Sequence, residues 1–248
     1  MMVGRMTHTG CTKIRIPPLP RSGVRGLVAG TYIMTGLEPK PIMEKLKTRA
    51  LLAGILFCIA SSSLAQSIKL ESGNLGFLKG ETTLNIEYAY DGLTVGKLTE
   101  TAYIEEKVAT YNKKEAGTGD KWLQSWKTDR ATRFEPKFEE LLNKQFSSKK
   151  AGLSGGKHPE AKYTLVLKTT TLDPGWNAAV MRRPAMVSTR AGFYETKDRS
   201  KELGVIIIRD APGRDAMGYD FDVGYRLQEG YAKTGKELGI FLYKKGLK

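Results

Sequence analysis

Leu203-Gly204-Val205-Ile206-Ile207-Ile208-Arg209-Asp210-Ala211-Pro212-Gly213 is the stretch that decides the fold. Four consecutive residues from Val205 to Ile208 are β-branched and carry no polar interruption, which predicts a central strand covered on both faces. Ala211-Pro-Gly213 is expected to end it, because proline cannot donate to a ladder. Beyond lies a helical stripe from about Asp220, with Val223, Leu227, Tyr231 and Leu238 on one side and Phe241 and Leu242 extending it. Lys236, Lys244 and Lys245 near its end suit the negative pole of the helix dipole.

Working toward the amino terminus, Ala185 to Tyr194 reads as a second strand. Tyr163, Leu165 and Leu167 alternate with Thr164, Val166 and Lys168 in another, closed at Asp173-Pro-Gly175. The segment 147–160, rich in Gly, Ser and Lys, has the composition of a flexible loop within one domain. Ahead of it the period is helical. Ile104, Val108 and Tyr111 form one stripe; Asp120 is the expected cap of a second run that puts Trp122 and Trp126 one turn apart. Phe134, Phe138, Leu141, Leu142 and Phe146 continue the pattern past Pro136, as two helices or as one bent at Glu135-Pro136.

From Thr82 to Tyr90 the pattern alternates strictly, with Leu84, Ile86, Tyr88 and Tyr90 pointing one way. That is a half-buried strand ending at Asp91-Gly92. Residues 66–79 read as a short lead-in. The order strand, helices, three strands, helix predicts an α+β fold: one mixed, largely antiparallel sheet with helices packed mainly on one face.

Everything before Gln66 has a different character. Lys45, Lys47 and Arg49 precede an uncharged apolar run, Ala50–Ala60, and then small residues at Ser63 and Ala65. This is the layout of a secretory signal peptide over 43–65, with cleavage expected between Ala65 and Gln66. The apolar run is about half the length that a membrane-spanning helix needs. Residues 1–42 are basic, rich in Pro and Gly and without periodicity, and are expected to be an upstream segment ahead of the true start at Met43. The mature chain, 66–248, then forms a single domain of 183 residues.

The leader changes the composition argument. The whole chain carries a formal net charge of +14, but residues 66–248 have 31 basic and 24 acidic residues, a net +7. Nucleic-acid binding is therefore not expected, whereas an anionic envelope component or an envelope protein is a fitting partner. Cys11 and Cys58 both fall in the leader, and His158 is the single histidine after Gln66. Disulfides, thiolate chemistry, histidine-based metal sites and Ser-His-Asp catalysis are accordingly unexpected, and no cofactor is implied. Gly152-Leu-Ser-Gly-Gly-Lys157 lacks the spacing of a phosphate loop.

Asp173-Pro-Gly-Trp176-Asn177 with Arg182-Arg183 puts an aromatic plane, an amide and two guanidinium groups at one end of a sheet. Trp176, Asn177, Arg182 and Arg183 are the candidate ligand-binding residues for a sugar, a peptide terminus or a phosphate. The plainer account of the same residues is a β-turn with Trp176 packed over the sheet edge and the arginines facing water. Trp122 and Trp126, near Phe134, read as core. A carboxylate pair such as Asp173 with Asp210 or Asp220 would make the chain a hydrolase of extracellular glycan or peptide instead.

The block 203–213, followed by Gly224-Tyr-Arg-Leu-Gln-Glu-Gly-Tyr-Ala-Lys-Thr-Gly-Lys236, resembles the closing strand and helix of small Gram-negative envelope domains similar to the TolB amino-terminal domain. The resemblance covers roughly residues 161–245 and leaves out the helical stretch 97–146. It implies a non-enzymatic assembly or binding role in the envelope, with the exported chain expected in the periplasm or outside the cell, and transfers no functional residues. No lipidation cysteine accompanies it, so membrane attachment does not carry over.

Overall fold

The computed structural model describes residues 66–178, 181–213 and 222–248. The expected signal peptide, the segment 1–42, Ala65, Asp220 and both cysteines lie outside the described residues. Among the described residues ten strands and four helices follow in chain order. They are β1 (Ser67–Gly73), β2 (Thr83–Ala89), β3 (Thr94–Val95), β4 (Leu98–Thr99), α1 (Glu100–Lys114), α2 (Thr118–Asp129), α3 (Glu135–Ser148), β5 (Ser154–Gly156), β6 (Tyr163–Asp173), β7 (Trp176–Ala178), β8 (Met181–Arg183), β9 (Ala185–Glu195), β10 (Gly204–Gly213) and α4 (Val223–Leu242).

Eight strands form one mixed sheet with the order β1-β10-β9-β6-β2-β5, and β3 and β4 extend it beside β6. β1, β10, β9 and β6 run antiparallel in succession, while β2 lies parallel to both β6 and β5. The fold is α+β, as the element order predicts. Its core lies between one sheet face and the helices. Leu84, Ile86, Leu165, Leu167, Val187, Ala191, Phe193, Ile206 and Ile208 meet Phe134, Phe138, Leu142, Phe146, Leu227, Tyr231 and Leu238 there.

Val205 to Ile208 is central as expected, with β1 on one side and β9 on the other. On the face away from the helices Val205 is buried but Ile207 is only half-buried, so cover on that side is partial. Ala211-Pro-Gly213 does not end the strand. β1 starts opposite Arg209, so beyond that point β10 has β9 as its one neighbour among the described residues, and Pro212 occupies a place where no donor is needed. A bulge at Asp210, whose amide donates to Ser188 Oγ at 3.0 Å, resets the register there.

The lead-in 66–79 holds strand β1. Its residues are almost all exposed, so no apolar alternation announces it. The loop 147–160 holds the short strand β5, pinned to α3 by Asn143, whose side chain bonds the Gly155 carbonyl at 2.7 Å and amide at 2.8 Å. Between α2 and α3 the helix does not break. One widened turn, Arg130–Phe134, carries the chain into α3, where Pro136 sits in the first turn and needs no amide partner. Helix α2 begins at Thr118 after Gly117 at φ 82°, one turn earlier than an Asp120 cap would place it.

Tyr88 donates to Glu139 at 2.9 Å and Tyr90 to Glu135 at 3.1 Å, fastening α3 to β2. Of the adjacent pair Glu139 and Glu140, Glu140 alone faces water, beside Lys137 at 2.9 Å. Burial raises the Glu135 carboxyl above its ordinary range, against the Tyr90 hydrogen bond, which lowers it.

Candidate functional site

Two groups of side chains stand at one end of the sheet. The first is the hairpin β7–β8, inserted between β6 and β9. Gly175 turns the chain into it at φ +61°, and a Cβ there would lie 2.3 Å from the Arg183 carbonyl oxygen, so the turn requires glycine. Trp176 sits opposite Arg183 and Asn177 opposite Arg182, which brings the four candidate ligand-binding residues together on one short ribbon. Trp176 is 44 % exposed and so does not pack down over the sheet edge. Arg183 pairs with Asp173, whose Oδ1 also accepts from the Gly175 amide at 3.0 Å. That commits Asp173 to holding the hairpin root.

The second group is a cleft of about 420 Å³ among α1, α2 and the start of α4. Gly117 and Gly119 let α2 fold back on α1. A Cβ on Gly119 would lie 2.4 Å from the Val108 carbonyl oxygen. This brings Tyr103 and Tyr111 of α1 against Trp122 and Trp126 of α2. The two indoles stack at 5.5 Å with 25° between planes; Tyr111 tilts against Trp122 at 5.9 Å and Tyr103 against Trp126 at 5.3 Å. Trp126 is buried and donates to Glu100 at 2.7 Å, whereas Trp122 stays half-open to the cleft. Burial raises the Tyr103 phenol to about 12.

Along the same helical stripe as the indoles stand Asp129 and Arg133, and Asp222 joins them in lining the cleft. Arg133 Nε stands 3.1 Å from Asp129 Oδ1, and its Nη1 stands 3.5 Å from Asp222 Oδ2. Asp222 caps α4, its Oδ1 accepting from the amides of Gly224 at 2.7 Å and Tyr225 at 3.3 Å. A Cβ on Gly224 would lie 2.2 Å from Asp129 Oδ2, so glycine makes room for the acid. Arg226, two residues on, donates to the Pro174 carbonyl at 3.0 and 3.2 Å, tying the hairpin root to the rim of the cleft.

Burial raises the Asp129 carboxyl above its ordinary 3.8; Arg133 opposes the rise and the Asp222 charge adds to it. The folded state thus binds this proton more tightly than the unfolded chain, and stability from this group falls as pH climbs from 3.8 through the raised value. Relative to Asp129→Asn, the wild type is expected to gain melting temperature as pH is lowered from 7 through that window. A relative loss over the same range would show that the Arg133 pairing outweighs desolvation.

The hairpin was legible from its local Asp-Pro-Gly-Trp run. The cleft was not, because the start of α4 that completes it lies far along the chain from α1 and α2, with Asp222 standing 89 residues after Arg133, and Trp122 and Trp126 at helical spacing read as core. Of the alternative pairing of Asp173 with Asp210 or Asp220, the described residues show Asp173 engaged with Arg183 and Asp210 in the β10 bulge, and Asp220 is outside them. His158 donates its main-chain amide to Asn85 at 3.0 Å and stands 3.6 Å from Glu160. Among the described residues no three or more His, Cys, Asp or Glu side chains are grouped to hold a metal, and no helix is long and apolar enough to cross a membrane.

No protein-family model and no curated protein matches the sequence. Among solved structures the chain is similar to a PelC dodecamer from Paraburkholderia phytofirmans, at 10% identity and a TM-score of 0.35, over 70% of this chain and 97% of that one. It is also similar to a dodecamer of a PelC variant from the same organism, at 8% identity and a TM-score of 0.29, over 68% of this chain and 99% of the other.

Proposed function

We propose that this is an exported, non-enzymatic binding or accessory protein of the cell envelope, which meets its ligand at the end of the sheet where the hairpin and the cleft adjoin. One observation carries the reading: a half-open aromatic wall shares one cleft with acids that are already fastened to a single guanidinium. Groups held that way are preorganised to grip a ligand. A carboxylate working as a general base or nucleophile needs freedom to take or give a proton, and Asp222 is committed to the α4 cap as well as to Arg133. A groove of about 570 Å³ between α3 and α4, lined by Lys137, Lys144, Lys233 and Lys236 beside Glu140 and Glu229, supports an anionic envelope component as a further contact.

The raised Asp129 carboxyl beside Asp222 favours one rival, a carboxylate-dependent hydrolase. The test purifies the full chain after export, reads its first residue, and measures its binding to envelope extract. The expected result is a start at Gln66 and binding that drops at least about tenfold when Trp176, Asn177, Arg182 and Arg183 are replaced together. Unchanged binding with intact folding would remove the hairpin from the site. Release of sugar or peptide fragments, lost in Asp129→Asn, would establish the hydrolase instead.

A further inference from the structure

We infer that the cleft between α1, α2 and α4 is a saccharide subsite, taking an uncharged pyranose ring against Trp122 with its hydroxyls on Asp129, Arg133 and Asp222. The inference rests on the binding reading above and names the ligand class of that site. It starts from the unequal exposure of the two indoles. Trp126 is 5 % exposed and its indole N–H is used by Glu100, so it is a backing plate. Trp122 stacks on it, packs against Tyr103 and Tyr111, and is the more open of the two indoles that line the cleft. An indole plane already packed against three other rings loses little freedom when something stacks on it.

A pyranose is two-sided chemistry of the kind this cleft offers. Its C–H face is weakly positive and suits the negative face of an indole. Its rim of hydroxyls needs acceptors and donors in reach, and Asp129 and Asp222 accept while Arg133 donates. Ser125, which also lines the cleft, can do either. Both acids are already oriented by Arg133, so they need no rearrangement to accept a hydroxyl proton. An apolar ligand would strip water from these charges without replacing its hydrogen bonds, which is costly. Two carboxylates against one guanidinium leave the floor net negative, which disfavours acidic sugars. The volume, about 420 Å³, lies within the range of roughly 300–1,000 Å³ usual for small-ligand pockets.

Calorimetric titration of the full chain with cellotetraose, with chitotetraose and with tetragalacturonate tests the assignment. At least one neutral tetrasaccharide is expected to bind at about 1 mM or tighter, and the acidic one at least tenfold more weakly. Trp122→Ala is expected to weaken binding about tenfold or more, and Trp122→Phe to restore most of it. Ser125 is exposed, so Ser125→Phe fills the cleft from its rim without disturbing the core, and binding should disappear in a chain that melts as the wild type does. Full-strength binding in Ser125→Phe or Trp122→Ala, equal binding of the acidic sugar, or no binding of either neutral sugar up to about 10 mM would overturn the subsite. Retention of envelope extract by a chain that binds neither neutral sugar would defeat the saccharide class alone; loss of both would defeat the binding reading with it.

Discussion

Phe138→Ala is expected to remove about 3–5 kcal/mol of stability, a large part of the roughly 5–15 kcal/mol that holds a domain of this size together. Phe138 is 0 % exposed and lies between the sheet and α4. Its ring meets the edge of Tyr88 at 6.1 Å and 87°, and the same turn of α3 supplies Glu139, the acceptor for the Tyr88 hydroxyl. Truncation therefore loses the transfer term, leaves a cavity, and loosens the hydrogen bond that fastens α3 to β2. In urea the midpoint should fall with the slope unchanged, as expected when stability changes and the unfolded state does not. A loss under about 1 kcal/mol would mean that α3 collapses into the gap, and the helix would then be far less firmly placed than its contacts indicate.

How much of this could be read from the chain depends on whether a feature is local. Leu84, Ile86 and Tyr88, and then Tyr163, Leu165 and Leu167, alternate because one face of each strand is buried, and the sheet is legible for that reason. The α4 stripe of Leu227, Tyr231 and Leu238 is legible through its 3.6-residue period. β1 and β5 were not, since an exposed edge strand and a Ser-Gly-Gly strand have no pattern to show. Pro212 misled because its tolerance depends on where β1 starts, a fact about another strand. The site divides along the same line. Trp176 to Arg183 is a local hairpin and was found, whereas Asp222 reaches the i,i+4 pair of Asp129 and Arg133 only after α4 has packed. The one clue available was an aspartate just ahead of the α4 stripe, which would cap that helix.

That packing depends on small residues in α4, and Gly235→Ala is the sharpest probe of it. Alanine in place of glycine in a helix ordinarily gains about 1 kcal/mol. Here a Cβ would lie 2.2 Å from the Phe138 carbonyl oxygen, and the obstacle is backbone, which no rotamer change can clear. Gly239, on nearly the same side, would meet the Gln145 side chain at 2.8 Å and the Leu142 carbonyl at 3.1 Å, a milder conflict. Gly230 points elsewhere, into Val187 of the sheet at 2.5 Å, so α4 cannot escape α3 by shifting toward β9. The helices must part, and Gly235→Ala should lose about 2–3 kcal/mol net while Gly239→Ala loses less. Thermal and urea unfolding of the two variants give the order directly; a gain near the 1 kcal/mol of helix propensity at Gly235 would show that the interface is loose. Separation of α3 from α4 also moves Arg133 away from Asp222. The same substitution should therefore weaken ligand binding at the cleft, although residue 235 lies three turns along α4 from Asp222 and lines no part of it.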